Sequence, residues 1–403
     1  MARARADEAV SFAQALAATT PLIDIRLRHE EVEQTGIARN ADANTLRARL
    51  GGETGTFLDT SILAEGEAMV RLDDDYRPDN AVPTYSQYPV VADPQNFAVN
   101  RLQLRNTSLP ETTLTVGRQR IDLDDQRFVG NSGWRQNEVT FDAVHLVNRS
   151  VSKLTVDLTF LDKVHRVYGV DSPQGTYTGD SYLANVAYQL PIGKLTGFAY
   201  LLDFAPIAGL TGALDPRRSS TSTVGGRLAG SQPVTAVTFG YVVSYASQKP
   251  RGDNPFSFTD DYFLGELNAS AAGFTLAAGD EDMHGNGTSG FATPLATLHL
   301  FDGWADKFLT TPADGIDDRY ASLAWAARKI IGLEKLSVTA VHHDFEAERV
   351  SSDYGAEWDL QLSGTWHHYT GLLKYADYLA AGTTPAAIAR DTTKFWAELD
   401  YIW

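Results

Sequence analysis

The sequence is dominated by eighteen segments of roughly ten residues in which apolar and polar side chains alternate. Successive side chains of a β-strand point to opposite faces, so each segment predicts a strand with one apolar and one polar face. In the first segment, Ile23, Ile25 and Leu27 alternate with Asp24, Arg26 and Arg28. We predict strands at 22–32, 44–52, 60–71, 97–106, 112–120, 139–148, 153–163, 180–189, 194–204, 220–229, 234–247, 260–269, 273–280, 318–327, 335–346, 354–366, 370–378 and 392–403.

The links between these segments alternate in length. Short links are expected at 54–57, 107–111, 149–152, 190–193, 230–233 and 270–273, and long ones at 33–43, 72–96, 121–138, 164–179, 205–219, 248–259 and 281–317. This alternation is typical of outer-membrane barrels, which have tight periplasmic turns at one rim and long extracellular loops at the other. We therefore predict an all-β fold, a single closed antiparallel transmembrane β-barrel of about 18 strands over residues 21–403. An even strand count places both ends on the periplasmic side.

Composition excludes several other classes of protein. The chain has no cysteine, which excludes disulfides, thiolate zinc sites and cysteine catalysis. Its formal charge of -17 opposes nucleic-acid binding. The mean hydropathy is -0.23. The sequence contains no window of 18 apolar residues without charges, so no membrane-spanning helix is predicted.

The two ends of the chain carry further signals. We interpret residues 1–20 as an N-terminal arm or a signal remnant, since Ala4-Arg5-Ala6 resembles a cleavage-site tail. The last segment ends on an aromatic residue and is expected to guide recognition by the barrel assembly machinery. Its apolar face comprises Phe395, Ala397, Leu399, Tyr401 and Trp403. Interfacial aromatic girdles are expected from Trp358, Trp366, Trp396, Tyr401 and Trp403.

Four longer segments resemble the alginate export porin family: Gly117-Arg-Gln-Arg120 and the stretches 124–138, 301–312 and 353–358. The resemblance implies an eighteen-stranded outer-membrane barrel with an arginine-lined pore. The family name derives from exporters of an anionic polyuronate. We take the fold and the arginine-lined pore from the resemblance, but not the direction of transport.

Arginine is concentrated in the first 150 residues, which hold 16 of the 34 basic residues and no lysine. If the leucine-rich faces of these strands meet lipid, the guanidinium groups face the lumen, since a charge facing lipid at mid-membrane costs roughly 2–4 kcal/mol. Two interpretations stay open: an arginine wall that attracts carboxylates, or cross-strand ion pairs that neutralise the wall. Under the first interpretation, the side chains of Arg47 and Arg49 are expected to touch water in the lumen. The predicted pore-lining residues are Arg26, Arg28, Arg47, Arg49, Glu65, Glu67, Arg101, Arg105 and Lys394.

Two long loops are candidates for the pore constriction. The loop at 121–138 is expected to form an eyelet from Asp124, Asp125, Arg127, Trp134, Arg135 and Glu138; the alternative is a surface loop. The loop at 281–317 is expected to pack across the mouth or inside, because its Phe301, Trp304 and Phe308 are apolar. Arg118 and Arg120 share the parity of lipid-facing residues, so they should lie above the membrane or be turned inward by a bulge near Gly117.

Metal and cofactor signals are weak. Acidic runs at 73–75, 280–282 and 314–318 could bind Ca²⁺, but none has a known calcium-loop spacing, and solvated charge is the preferred interpretation. The adjacent pairs His342-His343 and His367-His368 point to opposite faces of a strand and should not chelate one metal. We expect no cofactor.

The predicted function is passive diffusion of small hydrophilic solutes, anionic sugars or oligosaccharides of the uronate type, through a porin in the outer membrane of a Gram-negative bacterium. The alternatives are export of an anionic polysaccharide such as alginate, or a barrel enzyme of the lipase or protease class. No G-x-S-x-G or P-loop motif occurs, so we expect no enzyme. The expected partners are membrane lipid, lipopolysaccharide, the assembly machinery and a small solute, with the chain as a monomer.

Overall fold

A computed structural model describes residues 11–385 and 388–403. Within them, one short α-helix, α1 (Phe12–Ala17), precedes eighteen strands, and all eighteen predicted strands are confirmed. Their bounds are β1 Thr20–Gln34, β2 Ala41–Glu53, β3 Thr60–Arg71, β4 Asn96–Asn106, β5 Thr112–Gln119, β6 Thr140–Asn148, β7 Leu154–His165, β8 Thr176–Leu190, β9 Gly193–Leu201, β10 Thr221–Val234, β11 Val237–Pro250, β12 Asp260–Ala271, β13 Phe274–Met283, β14 Ile316–Ile330, β15 Leu333–Glu346, β16 Asp353–Trp366, β17 Tyr369–Leu379 and β18 Thr392–Ile402.

The strands form a closed sheet, as predicted. Each strand pairs antiparallel with its neighbours in sequence, and β18 pairs with β1 from Asp24 opposite Ile402 to Gln34 opposite Thr392. Closure leaves no unpaired strand edge, which a membrane would penalise because lipid cannot satisfy free backbone groups. None of the helices in the described residues is long and apolar enough to span a membrane.

The turns at one rim are as short as the sequence indicates. Ala272-Gly273 and Ile331-Gly332 form two-residue hairpin turns with positive φ at both positions (51° and 84°, 48° and 85°), the geometry that matches the twist of paired strands. The first loop, 35–40, is shorter than predicted, because β1 continues through the polar residues Glu33 and Gln34 and β2 begins three residues earlier, at Ala41.

The exterior of the barrel is apolar and the interior polar. Outward leucines are widely exposed, for example Leu267 at 70%, whereas inward arginines and glutamates are buried. This inverted distribution is what a lipid-embedded barrel requires. Trp366 stacks on Tyr369 near the periplasmic rim, and Tyr369 in turn packs against Tyr401, with ring centroids 5.9 Å and 5.1 Å apart.

The expectation that Trp396 belongs to an outer aromatic girdle is wrong. Its side chain is 0% exposed and points into the barrel. It lies on the same face of β18 as Lys394 and Glu398, so the alternation that turns Phe395 and Leu399 outward turns Trp396 inward. Trp358, Trp366 and Trp403 are exposed on the exterior.

The N-terminal segment packs on the periplasmic rim. Ser11 caps α1 by accepting a hydrogen bond from the Gln14 backbone N–H, and the Gly55 N–H donates to the Ala15 carbonyl at 2.9 Å. Phe12 meets Phe57 in the turn between β2 and β3, at 6.4 Å between ring centroids. The proposed signal remnant at 4–6 lies outside the described residues, and the division of the chain at residue 20 stays a prediction.

Candidate functional site

The loop between β5 and β6, residues 120–139 (loop L3), lies inside the barrel and reaches both sides of it. On one side Glu138 accepts a hydrogen bond from Asn100 of β4 at 2.6 Å. On the other side Asp124 accepts from Asn185 of β8 and Lys194 of β9, each at 2.8 Å. L3 therefore spans the lumen between opposite strands rather than lying on the surface.

Arg127 anchors L3 to the far wall. It is 1% exposed and donates to Glu281 of β13 at 2.6 Å and to Asp302 at 2.9 Å, with its guanidinium 4.7 Å from the Phe301 ring centroid. Burial opposes the charge of Arg127, but the Asp302 and Glu281 carboxylates outweigh it and raise its pKa. A permanently charged guanidinium thus holds the loop. Asp125 makes a further contact, with Arg227 of β10 at 3.0 Å.

The loop between β13 and β14, residues 284–315 (loop L7), also folds inside. Its backbone pairs with L3 where the Gly130 N–H donates to the Leu295 carbonyl at 2.8 Å and the Thr297 N–H to the Gln126 carbonyl at 3.0 Å. Phe308 packs against an aromatic cluster that includes Phe345, at 4.6 Å between centroids. The apolar residues of L7 are therefore buried against the inner wall, and the two loops together narrow the lumen.

A box of three tryptophans joins the two loops to the wall. Trp134 of L3, Trp304 of L7 and Trp396 of β18 surround the Lys374 ammonium, with centroids 4.3, 3.6 and 5.7 Å from its Nζ. Such cation–π contacts strengthen when they are desolvated, and this lysine is 4% exposed. We call these four residues the tryptophan box.

His299 of L7 completes this packing. Its ring stacks on Trp134 at 4.3 Å, its Nδ1 lies 2.7 Å from Asp306, and its Nε2 lies 2.7 Å from the Lys374 Nζ. Burial and then the charge of Lys374 hold the pKa of His299 well below its ordinary value. The neutral ring therefore donates from Nδ1 and accepts at Nε2.

The predicted pore-lining cations all lie on inward-facing positions, but most of them are paired. Arg28 lies 2.6 Å from Glu398, Arg49 2.6 Å from Glu67, Arg101 2.7 Å from Glu65, Arg26 2.7 Å from Asp400 and Lys394 2.7 Å from Asp306, and Arg47 is bonded to Asp24. Arg105 is exposed and forms no ion pair with any described residue. This geometry favours the cross-strand pairing interpretation of the wall over free cations.

These arginines also hold L3. Arg26 donates to the carbonyls of Gly133 and Trp134 at 3.0 and 3.1 Å, and Arg49 donates to the Gln136 carbonyl at 3.0 Å. The expectation that Arg47 and Arg49 touch water is wrong, because they are 1% and 2% exposed beneath the loop. Strand parity identified the face of each side chain, but it could not show what covers that face.

Arg118 and Arg120 differ from each other in direction. Gly117 has φ +115°, a value that favours glycine, but β5 pairs with β4 and β6 through Gly117 without a register shift, so the expected bulge is not found there. Arg118 stays on the exterior and pairs with Asp142 at 2.8 Å. Arg120, beyond the end of β5, turns inward to Glu138 at 2.6 Å.

The acidic runs produce two close groups of carboxylates. Asp280, Asp282 and Asp317 lie together on the exterior, and Glu281, Asp302 and Asp318 lie together inside, with ligand oxygens within 4.8 Å of one another in each group. The inner group already contacts Arg127 and, at Asp318, His343. The preference for solvated charge over a Ca²⁺ site stays a prediction.

The neighbouring histidines of β15 point to opposite faces, as the sequence indicates. His343 points inward to Asp318 at 2.9 Å, whereas His342 packs on the exterior Trp358 at 4.6 Å. The two rings are therefore unable to share a metal ion.

A cavity of about 350 Å³ lies at the extracellular end of the lumen. It is bounded by the outer ends of β1 and β18 and by loops at 72–95, 166–175 and 380–391, with L3 and L7 beneath. We call it the basin. Its polar and charged lining residues are Gln34, Asn80, Arg135, Tyr168, Asp306, Lys307, Thr392 and Lys394. A narrower cavity of about 90 Å³ adjoins it through Arg135, Tyr168 and Asp306.

Four residues inside the barrel were not predicted from the sequence: Lys307, Tyr168, His299 and Lys374. All but Lys374 lie in loops, where no periodic pattern shows which way a side chain points. Lys374 alone carried a signal, since it lies on the inward parity of β17 with Tyr378.

The closed barrel, its apolar exterior and its polar lumen define an outer-membrane β-barrel of the porin class. Known structures share this fold. They include OccK5 (OpdH) of Pseudomonas aeruginosa (13% identity, 97% of this chain and 99% of that chain, TM-score 0.70) and OccAB1 of Acinetobacter baumannii (12%, 96% and 97%, 0.70). A third is the outer membrane protein OpdK of P. aeruginosa, in a structure with vanillate (15%, 95% and 98%, 0.69).

The family model described as alginate export matches residues 22–170 of this chain. The resemblance inferred from the sequence is thereby confirmed over that part, which contains the segments 117–120 and 124–138. The segments 301–312 and 353–358 lie outside the match. No curated protein matches the chain. The family match and the shared fold agree with the expected location in the outer membrane of a Gram-negative bacterium and with a protein that is not an enzyme.

Proposed function

We propose that this protein is an outer-membrane channel for the passive diffusion of small hydrophilic solutes, anionic sugars or oligosaccharides in particular. The observation that carries the proposal is the narrowing of a closed, polar barrel by two loops that are fixed inside it. A barrel with only a structural role has no need of an ordered inner constriction. Loops held by buried ion pairs instead give a lumen of defined width and charge.

The proposed preference for anions rests on which charged side chains are exposed to water and which are buried. The acidic excess beside L7, at Glu281, Asp302 and Asp318, is buried at 5% exposure or less. The cations that stay accessible lie nearer the path, with Arg105 exposed at one end of the lumen and Lys307 in the basin at the other. The structure of OpdK with vanillate, a small carboxylate, is consistent with such a solute.

Export of a polyuronate is the second candidate, favoured by the alginate export match over residues 22–170. An extended polymer needs a lumen that is open along its whole length, whereas L3 and L7 cross this one. Uptake of single sugars or short oligosaccharides therefore fits the fixed loops better. We propose that the protein acts as a monomer and that β18 mediates recognition by the assembly machinery.

Liposome swelling tests the proposal. Vesicles that contain the purified protein should swell in isotonic glucose and faster in isotonic sodium glucuronate, and swelling should slow with oligosaccharide length. A phospholipase or protease activity without swelling would instead support a barrel enzyme. Swelling that is equally fast for long uronate oligomers would favour the exporter.

A further inference from the structure

We infer that the basin is the site that first binds the solute, and that Lys307 binds the carboxylate of an acidic monosaccharide there. This inference rests on the proposed function, because it names the recognition site of the same channel. It assigns selectivity to a loop cation at the extracellular mouth and not to the arginines of the wall.

Lys307 is held in place without being neutralised. Its Nζ donates to the Arg390 carbonyl and to the Thr392 hydroxyl, each at 2.9 Å. Both acceptors are uncharged, and Lys307 forms no ion pair within the described residues. An ammonium group has three donors, so one proton is left for a ligand. The fixed position reduces the entropy lost when an anion binds.

The other charged residues that line the basin balance one another with Glu30, so Lys307 leaves a cationic excess. Arg135 and Lys394 both lie 2.7 Å from Asp306, so two cations share one carboxylate. Arg135 also lies 3.5 Å from Glu30, which is 0% exposed and lies behind it. Asp306 and Glu30 balance the charges of Arg135 and Lys394. Lys307 therefore adds a positive charge that no carboxylate of this group balances. A carboxylate that enters the basin meets this excess in a partly desolvated cavity, where charge-assisted hydrogen bonds are strong.

The size and the remaining lining of the basin suit a sugar. Its volume of about 350 Å³ is at the lower end of ligand-pocket volumes, about 300–1,000 Å³. Gln34 and Asn80 offer amide groups for sugar hydroxyls, and the Tyr168 ring offers an apolar face. One carboxylate and several hydroxyls on one ring would use all of these groups, so the ligand class is an acidic monosaccharide.

The alternative location, the arginine wall, has few cations that a solute can reach. Arg28, Arg47 and Arg49 are at most 2% exposed, and each is already bonded to a carboxylate. A solute would have to displace both the carboxylate and loop L3 to reach them. The basin instead contains a half-buried cation that has no carboxylate partner among the described residues.

The test measures block of single-channel current by glucuronate added on the loop side. In the unaltered protein, glucuronate should block at lower concentration than glucose does. In Lys307→Gln the half-blocking concentration of glucuronate should rise about tenfold, as expected when a charge-assisted hydrogen bond is lost, while the glucose value stays the same. Lys307→Arg, which keeps the charge, should retain most of the affinity. Lys153→Gln, in the exposed short turn between β6 and β7 at the opposite rim, should leave the block unchanged.

The outcomes separate the inference from the proposed function. If the unaltered protein is folded but carries no current, the channel proposal fails and the inference fails with it. If current flows but glucuronate blocks no better than glucose, or if Lys307→Gln and the parent are blocked equally, the basin assignment is wrong and the channel stands. A heat-modifiability gel of each variant confirms that the barrel is folded.

Discussion

Arg49 shows how closely a charged side chain can be enclosed in this lumen. It lies between Glu67 at 2.6 Å and Glu138 at 3.3 Å, with its Nη2 on the Gln136 carbonyl. Such a residue contributes to the attachment of L3, and its removal leaves the buried Glu67 without its cation, whereas Glu138 keeps its pairing with Arg120. Removing one partner of a buried pair is far more costly than losing an exposed charge.

Arg49→Gln should therefore destabilise the barrel by about 3–5 kcal/mol. The free energy of unfolding can be measured by urea titration in lipid vesicles. Arg105→Gln is the matched control, because Arg105 is exposed and forms no ion pair among the described residues, and it should change stability by less than about 0.5 kcal/mol. Equal stabilities for the two variants would contradict the buried-pair account of the wall.

The charge of Lys307 should make selectivity depend on pH. Burial, followed by the nearby Lys394, lowers the pKa of Lys307 to about 8; Arg390 lowers it further, whereas Glu357 and Asp391 oppose the shift. A lysine is charged below its pKa, so the ammonium loses its proton as the pH rises through about 8. Anion preference, measured from reversal potentials in a salt gradient, should fall between about pH 7 and pH 9.

Lys307→Arg is the control for this pH dependence, because a guanidinium stays charged in that range. Its anion preference should be flat from pH 7 to pH 9. A parent protein with an equally flat profile would show that Lys307 does not contribute to selectivity.

Single residues were predictable from the sequence only as far as strand alternation reaches. The inward direction of Arg28, Glu67 and Lys394 follows from the two-residue period. Their burial does not, because it depends on a loop that folds back over them from a distant part of the chain. Trp396 shows the same limit of prediction from sequence. Its position in the strand alternation indicated an inward direction, whereas tryptophan as a residue type suggested a lipid interface.

At the scale of elements, the tryptophan box connects three separate pieces of the chain. L3 contributes Trp134, L7 contributes Trp304, and the wall contributes Lys374 and Trp396. The two loops have little regular secondary structure, so these contacts and the ion pairs at either end hold them in place. Loosening the box should free the loops without unfolding the strands.

Trp134→Ala should therefore raise single-channel conductance and current noise, while the heat-modifiability shift of the barrel is kept. Planar-bilayer recordings measure both quantities. Trp366→Ala is the matched control, because Trp366 lies on the exterior and should leave the current unchanged. A Trp134→Ala channel with parental conductance and noise would show that the loops do not limit permeation.

Elements were the most predictable level of this protein. Strands and tight turns follow from local alternation and from glycine at positions of positive φ, so β1 to β18 could be located within a few residues. The prediction that L3 folds into the lumen rested only on its length and on its being the third long loop. The pairing of L3 with L7 had no local signal in the sequence. Gly130 and Leu295 meet across 165 residues of sequence, a distance at which no pattern operates.

For the whole molecule, the net charge of -17 does not describe the pore. Many carboxylates lie on outward-facing positions at the extracellular ends of strands, such as Asp280, Asp344 and Glu346, which are exposed. The field that a solute meets is set by the groups nearest to its path, which are cationic in the basin. An acidic protein can therefore contain an anion-selective channel.

The central claim is that the barrel conducts, and planar-bilayer recording of the purified, folded protein tests it most directly. The account predicts discrete current steps that are present without any energy source, with a reversal potential in a potassium chloride gradient that indicates preference for chloride. The absence of current steps from protein whose heat-modifiability gel shows a folded barrel would contradict the channel proposal.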